Sequence, residues 1–150
     1  MSTMKTIGVV GAGPMGAGIA QVGLTSGMKV VLFDLSADAL ARAGKDIEGR
    51  IARMVEKGQL PESATADCMG RLTLAASLAD FAPCEAVVEA IIERLEPKQA
   101  LLAELEGIVA EDALLASNTS SLSIAAIAKN CRNKARVIGL HFFNPVPLMK

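Results

Sequence analysis

Residues 6–16 read TIGVVGAGPMG. A short run rich in β-branched residues ends in three glycines at positions 11, 13 and 16, the spacing G-x-G-x-x-G. The run predicts a buried strand. Pro14 and the apolar pattern up to Ser26 predict a helix, stopped by Gly27. Alone, such a spacing marks many ordinary tight turns. Here a strand precedes it, a helix comes after it, and Asp34 ends the next apolar run, 21 residues after Gly13. Each glycine then has a physical task. Gly11 permits the sharp turn, Gly13 lets backbone approach a pyrophosphate, and Gly16 brings the helix close to the strand. Pro14 and Met15 complete the turn, and the pyrophosphate would rest on unpaired N–H groups at the helix start. Asp34 would accept from the ribose hydroxyls of an adenine dinucleotide and repel a 2′-phosphate, which favours NAD over NADP. Read without the glycines, Asp34 has a plainer alternative, as an acidic group near Ser36 at the start of the next helix.

Working outward, KVVLFD (29–34), RLTLA (71–75), AVVEA (86–90), LLASN (114–118) and RVIGLH (136–141) read as five further buried strands. Helices are predicted over 36–57, with Ser36 as N-cap and Gly58 as stop, from Leu60 to about Met69, over 97–109 and over 123–130. Strands alternate with helices, the pattern of an α/β, doubly wound parallel sheet of the Rossmann type with strand order 3-2-1-4-5-6. The segment 36–70 is too long for one crossover helix. It reads as an inserted helical hairpin, expected to project from the body.

Composition agrees with a covered parallel sheet. Of 150 residues, 51% are hydrophobic, yet there are four Phe and no Trp or Tyr, so the core must be aliphatic. The net charge is −1 and no basic stripe interleaves with aromatics, which argues against nucleic acid as a partner. Residues 7–33 are apolar enough to raise a membrane span, but glycines, Pro14 and Lys29 break them into short pieces. Cys68, Cys84 and Cys131 are odd in number and widely spaced, so neither a disulfide framework nor a metal site is indicated. With no signal or transit pattern in MSTMKTIGVV, a cytoplasmic protein is expected.

In folds of this class ligands bind beyond the carboxyl ends of the strands. The residues just past the last three strands are therefore the informative ones. After the fourth come Glu89, Glu93 and then Lys98; after the fifth, Asn118-Thr119-Ser120-Ser121; after the sixth, His141 and Asn144. Each has a plainer alternative. Ser120 or Ser121 can cap the next helix, Glu93 and Lys98 can be a solvated helix start, and a lone histidine can be structural. At a strand end on this rim, however, His141 suits abstraction of a hydroxyl proton while hydride leaves the same carbon.

IGVVGAGPMGAGIAQ, VVEAIIERLEPK, SNTSSLSI and GLHFFNPVPLMK, in that order, resemble the NAD-binding domain of the L-3-hydroxyacyl-CoA dehydrogenases, nearest in flavour to the bacterial 3-hydroxybutyryl-CoA enzymes. The resemblance runs from about residue 5 to 150, and its last motif is the most specific. It implies NAD-dependent oxidation of the 3-hydroxyl of a short-chain acyl-CoA. It gives His141 the role of general base, and places Ser120 and Asn144 at the reacting oxygen and the cofactor. Glu93 and Lys98 would contact the cofactor near its nicotinamide half, and Lys57 and Arg50 would join Ser120 as contacts for the CoA substrate. From the residues alone the hairpin stays open, because 42–71 carry six basic and five acidic residues and read equally as solvated surface. In the family a carboxylate comes about a dozen residues after the histidine and orients it; here the chain has nine residues after it. The resemblance thus implies that this carboxylate, two further strands and a helical domain are absent from the chain, that the chain alone turns over little, and that copies associate as a dimer or higher homo-oligomer. Two other readings stay open: a non-catalytic cofactor-binding or structural protein of the same fold, and a dehydrogenase of the 3-hydroxyisobutyrate or 6-phosphogluconate type.

Overall fold

The computed structural model describes residues 4–140. Six strands form one parallel sheet: β1 (Thr6–Val10), β2 (Lys29–Phe33), β3 (Leu72–Leu74), β4 (Ala86–Glu89), β5 (Leu114–Asn118) and β6 (Val137–Leu140), in the order β3-β2-β1-β4-β5-β6. Strand order is the one predicted. The central strands β1, β2, β4 and β5 are covered on both faces, so their side chains split by alternation between two apolar layers, whereas edge strand β3 is half-buried at Leu72 and exposed at Thr73 and Leu74. Ile7, Val9, Val30 and Leu32 face one layer, with Leu24, Ile47 and Ile51. Val10, Val31, Val87 and Leu115 face the other, with Phe81, Leu102, Leu105 and Ile127.

The first layer is covered by α1 (Pro14–Thr25), α2 (Ala37–Glu56) and α3 (Ala64–Gly70); the second by α4 (Leu95–Glu106) and α5 (Ile124–Ile127). Ser36 caps α2 as expected, its hydroxyl accepting from Ala39 N at 3.1 Å. Gly27 and Gly58, both at positive φ, come just after α1 and α2. The inserted helices do not project. Leu40, Ala43, Gly44, Ile47 and Ile51 recur every three or four residues and bury one face of α2 in the core. Cys68 ties α3 to α1, its thiol donating to Leu24 O at 3.5 Å.

Boundaries shift where local signals were ambiguous. The fourth helix begins at Leu95, not Pro97, because a proline in the first turn lacks only an N–H that would be unpaired there anyway. A 3-10 turn over Leu78–Phe81, unmarked by any periodicity, inserts Phe81 fully into the second layer. The helix after β5 is capped by Ser123, which accepts from Ala126 N at 3.3 Å, so neither Ser120 nor Ser121 serves as its cap. Among the described residues no helix is long and apolar enough to cross a membrane.

Candidate functional site

The glycine turn joins β1 to α1 under tight constraints. Gly11 sits at φ 109°, and a Cβ there would lie 2.5 Å from Ala90 O. A Cβ at Gly16 would lie 1.7 Å from Gly11 O, so the helix can enter only over a glycine. Gly13 differs. Its φ is −72°, which any residue adopts, and a Cβ there would meet nothing within 4 Å among the described residues. The protein itself does not need a glycine at 13; the space is open to a ligand. The N-terminus of α1 has no side-chain cap and no acidic residue in its first turn, leaving its N–H groups available to an anion. Pro14 is exposed and Met15 half-buried on this turn.

Asp34, just past β2, braces the turn. Its Oδ2 accepts from Ala12 N and its Oδ1 from Ser36 N, both at 2.8 Å. Beside it opens a groove of about 530 Å³. Val10, Phe33, Leu35, Ile91 and Leu101 form apolar walls, with Gly13 and Asp34 at one side. Leu35 is 96% exposed, an apolar side chain held out where a flat aromatic ring could rest on it. An anion-ready turn, a carboxylate and an apolar slot in this sequence fit a dinucleotide: pyrophosphate at Gly13, ribose at Asp34, adenine against Leu35.

A second cluster lies at the ends of β4 and β5. Glu93 Oε1 accepts from the Thr119 hydroxyl at 2.7 Å, and its Oε2 from Ser120 N at 3.0 Å and the Ser120 hydroxyl at 3.3 Å. Desolvation pushes the Glu93 carboxyl up. The Ser120 N–H, the Thr119 hydroxyl, the Lys98 charge and the Ser120 hydroxyl together outweigh it and hold the group below its ordinary value. A cavity of about 380 Å³ opens beside Ser120, between Thr119 and Leu140. Leu140, the last residue of β6, is in register with Asn118 of β5.

The chain matches the model of one family, the NAD-binding domain of 3-hydroxyacyl-CoA dehydrogenase, over residues 6–150. The chain belongs to this family. It is 44% identical over 150 residues to 3-hydroxyadipyl-CoA dehydrogenase of Escherichia coli K12, covering 32% of that protein. It is 42% identical over 149 residues to 3-hydroxybutyryl-CoA dehydrogenase of Bradyrhizobium diazoefficiens, covering 51% of it. A solved structure of 3-hydroxybutyryl-CoA dehydrogenase from Escherichia coli superimposes with a TM-score of 0.95 at 44% identity, over 99% of this chain and 32% of that one. The (S)-3-hydroxybutyryl-CoA dehydrogenase of Ralstonia eutropha gives 0.92 at 38% identity, over 98% of this chain and 52% of that one. The chain therefore spans about a third to a half of the length of these relatives. The cofactor of this NAD-binding domain is NAD.

The residues singled out by sequence fall in three places. Gly11, Gly13, Pro14, Met15, Gly16 and Asp34 share the turn and the groove. Glu93, Lys98 and Ser120 share the second cluster. Lys98 is not a solvated helix start: it is 0% exposed and its ammonium lies 2.6 Å from Glu89, so a ligand meets Glu93 first. Arg50 lines a small cleft with Gly13, Pro14, Arg42 and Asp46, while Lys57 is exposed at the end of α2, two turns further on. His141 and Asn144 lie outside the described residues. Sequence reading placed Glu89 at the rim but gave it no role, and missed Ser117 as a site residue and Leu35 as a wall of the groove. The signal for Glu89 was present, an acid closing an otherwise apolar strand; Ser117 inside LLASN carried none.

Proposed function

We propose that the protein oxidises the 3-hydroxyl of a short-chain L-3-hydroxyacyl-CoA, of the 3-hydroxybutyryl class, with NAD as hydride acceptor. The observation that carries the proposal is the gathering of Ser120 and Thr119 around Glu93 at the strand-end rim that also holds the glycine turn. NAD, when bound, supplies an electrophilic carbon that takes the hydride. Gly13 and the start of α1 hold its pyrophosphate, Asp34 its adenosine ribose, and Glu93 its nicotinamide half. Lys98 stands behind Glu93. Ser120 offers its hydroxyl to the reacting oxygen, since its 3.3 Å bond is the longest of the three to Glu93 and the easiest to exchange. His141, next in sequence after Leu140, takes the hydroxyl proton, and Asn144 joins Ser120 in binding the reacting oxygen and the cofactor. Arg50 and Lys57 lie along α2, about 10 Å apart by helix rise, and form a cationic edge for the CoA phosphates. We carry with this reading a cytoplasmic homo-oligomer: Cys68, Cys84 and Cys131 are free thiols, and Leu74 on strand β3 is an exposed apolar side chain.

The test monitors NADH loss with acetoacetyl-CoA and with free acetoacetate. Turnover with the thioester and about a hundredfold less with the free acid supports the reading, because the CoA contacts contribute binding energy that the free acid lacks. Equal rates with both would overturn it.

A further inference from the structure

Beneath Glu93 a line of polar groups runs into the core. The Ser117 hydroxyl donates to Glu89 Oε1. Lys98 Nζ lies 2.6 Å and 2.8 Å from the two Glu89 carboxylate oxygens, 3.4 Å from Asn118 O and 3.6 Å from Glu93 Oε1. Ile91 N donates to Glu89 Oε2 at 3.1 Å. Glu89, Lys98 and Ser117 are each 0% exposed.

Stability does not account for this arrangement. A buried ion pair costs desolvation that an apolar pair of similar volume avoids, and such replacements are often neutral or stabilising. In the sheet Glu89 is in register with buried Val10, and Val88 and Ala116 one residue earlier on β4 and β5 are buried too, so apolar residues would suit the packing. What the pair achieves is connection. Glu89 ends β4, Ser117 and Asn118 end β5, and Lys98 comes from α4. One ammonium with three protons joins these elements and still faces Glu93. Among the described residues Lys98 is the cation within 4 Å of Glu93.

We propose that the Glu89–Lys98 pair is a positioning device: it fixes Glu93 and, through Glu93, the Thr119–Ser120 segment at the rim. Glu89, Lys98 and Ser117 are positioning residues, acting through Glu93 rather than on the substrate. What Ser120 does once placed rests on the function proposed above. The placement itself does not.

The deciding experiment uses the double variant Glu89→Gln/Lys98→Met in the protein, which replaces the charged pair by neutral groups of similar shape. Three readouts are taken: thermal midpoint, the titration of Glu93 by carboxyl carbon NMR (assigned with Glu93→Gln), and turnover of acetoacetyl-CoA. The double variant is expected to keep the thermal midpoint within a few degrees, to raise the Glu93 titration toward the ordinary glutamate range, and to lose at least tenfold in kcat with KM changed less than threefold. The single variant Glu89→Gln is expected to move the Glu93 titration the other way, because the Lys98 charge then has Glu93 as its remaining carboxylate. A double variant with Glu93 titration and kcat both unchanged would overturn the proposal and leave the pair a packing feature. If the double variant does not fold, an unmoved Glu93 in Glu89→Gln overturns it equally. Absence of turnover in the unaltered protein would strike the proposed function alone, since the Glu93 titration still reads the placement.

Discussion

Gly13→Ala adds one methyl group at the N-cap of α1, where no atom of the described residues lies within 4 Å of the new Cβ. Two backbone effects act on the fold and nearly cancel. Losing the unfolded-state freedom of glycine stabilises by about 0.4–1 kcal/mol at a compatible φ. Alanine is a poorer N-cap than glycine, at a cost of about 0.5–1 kcal/mol. The net change is within about 1 kcal/mol of zero, a shift of roughly 2–4 °C at most for a protein of this size or somewhat larger. Cofactor binding has no such compensation. The methyl occupies the space by which a pyrophosphate reaches the helix N–H groups, and one lost charge-assisted hydrogen bond costs about 1.5–3 kcal/mol. NADH affinity should fall about 10- to 150-fold. NADH fluorescence reads this directly, because the chain has no Trp or Tyr to interfere. Gly16→Ala is the opposite case. Its Cβ would sit 1.7 Å from Gly11 O, so the strand–helix junction itself must move and the thermal midpoint should collapse. Gly13→Ala binding NADH as tightly as the unaltered protein would refute the reasoning about the turn.

Further predictions concern other parts of the structure. Asp34→Asn should weaken NADH binding and reduce the preference over NADPH at least about tenfold, since the carboxylate that repels a 2′-phosphate is gone; paired Kd values for the two cofactors check it. Arg136→Met should destabilise by about 3–5 kcal/mol, because it removes the ion-pair partner of the largely buried Glu106 carboxylate at 3.8 Å and takes guanidinium donors from Ala110 O, Glu111 O, Ala113 O and Glu106 O, of which Ala110 O keeps Ala113 N; urea unfolding measures it. Burial pushes the Cys84 thiol up to about 11. Since the folded value is raised above the unfolded one of about 8.5, the stability it contributes is complete below about pH 8.5 and is lost as pH rises through the folded value. The urea midpoint should therefore fall across that alkaline window, and less steeply in Cys84→Ala. Light scattering at high protein concentration should report a dimer or larger; a clean monomer would remove the homo-oligomer from the proposal.

The sheet was legible because its central strands β1, β2, β4 and β5 are covered on both faces and so read as apolar runs. The glycine turn was legible because its spacing is local. Leu40, Ala43, Gly44, Ile47 and Ile51 also carried, in their three- and four-residue spacing, the information that α2 packs on the body, but the charges around them dominate its outer face and suggest a solvated hairpin. The turn that buries Phe81 was not legible: four residues show no period. The Glu89–Lys98–Ser117 line was least legible of all. Its members come from β4, α4 and β5, and only the parallel register that sets Glu89 opposite Ser117 brings them together.

In the proposed reaction, proton and hydride transfer occur at the rim where β4, β5 and β6 end. The most direct test is the pH dependence of kcat/KM for 3-hydroxybutyryl-CoA oxidation in the protein and in His141→Gln, with NADH affinity measured alongside. The unaltered protein's rate is expected to rise with pH through an apparent pKa in the histidine range. In His141→Gln that limb should disappear, with a loss of about 10²–10⁴-fold and little change in NADH affinity. Turnover retained in His141→Gln with the same pH profile would contradict the account.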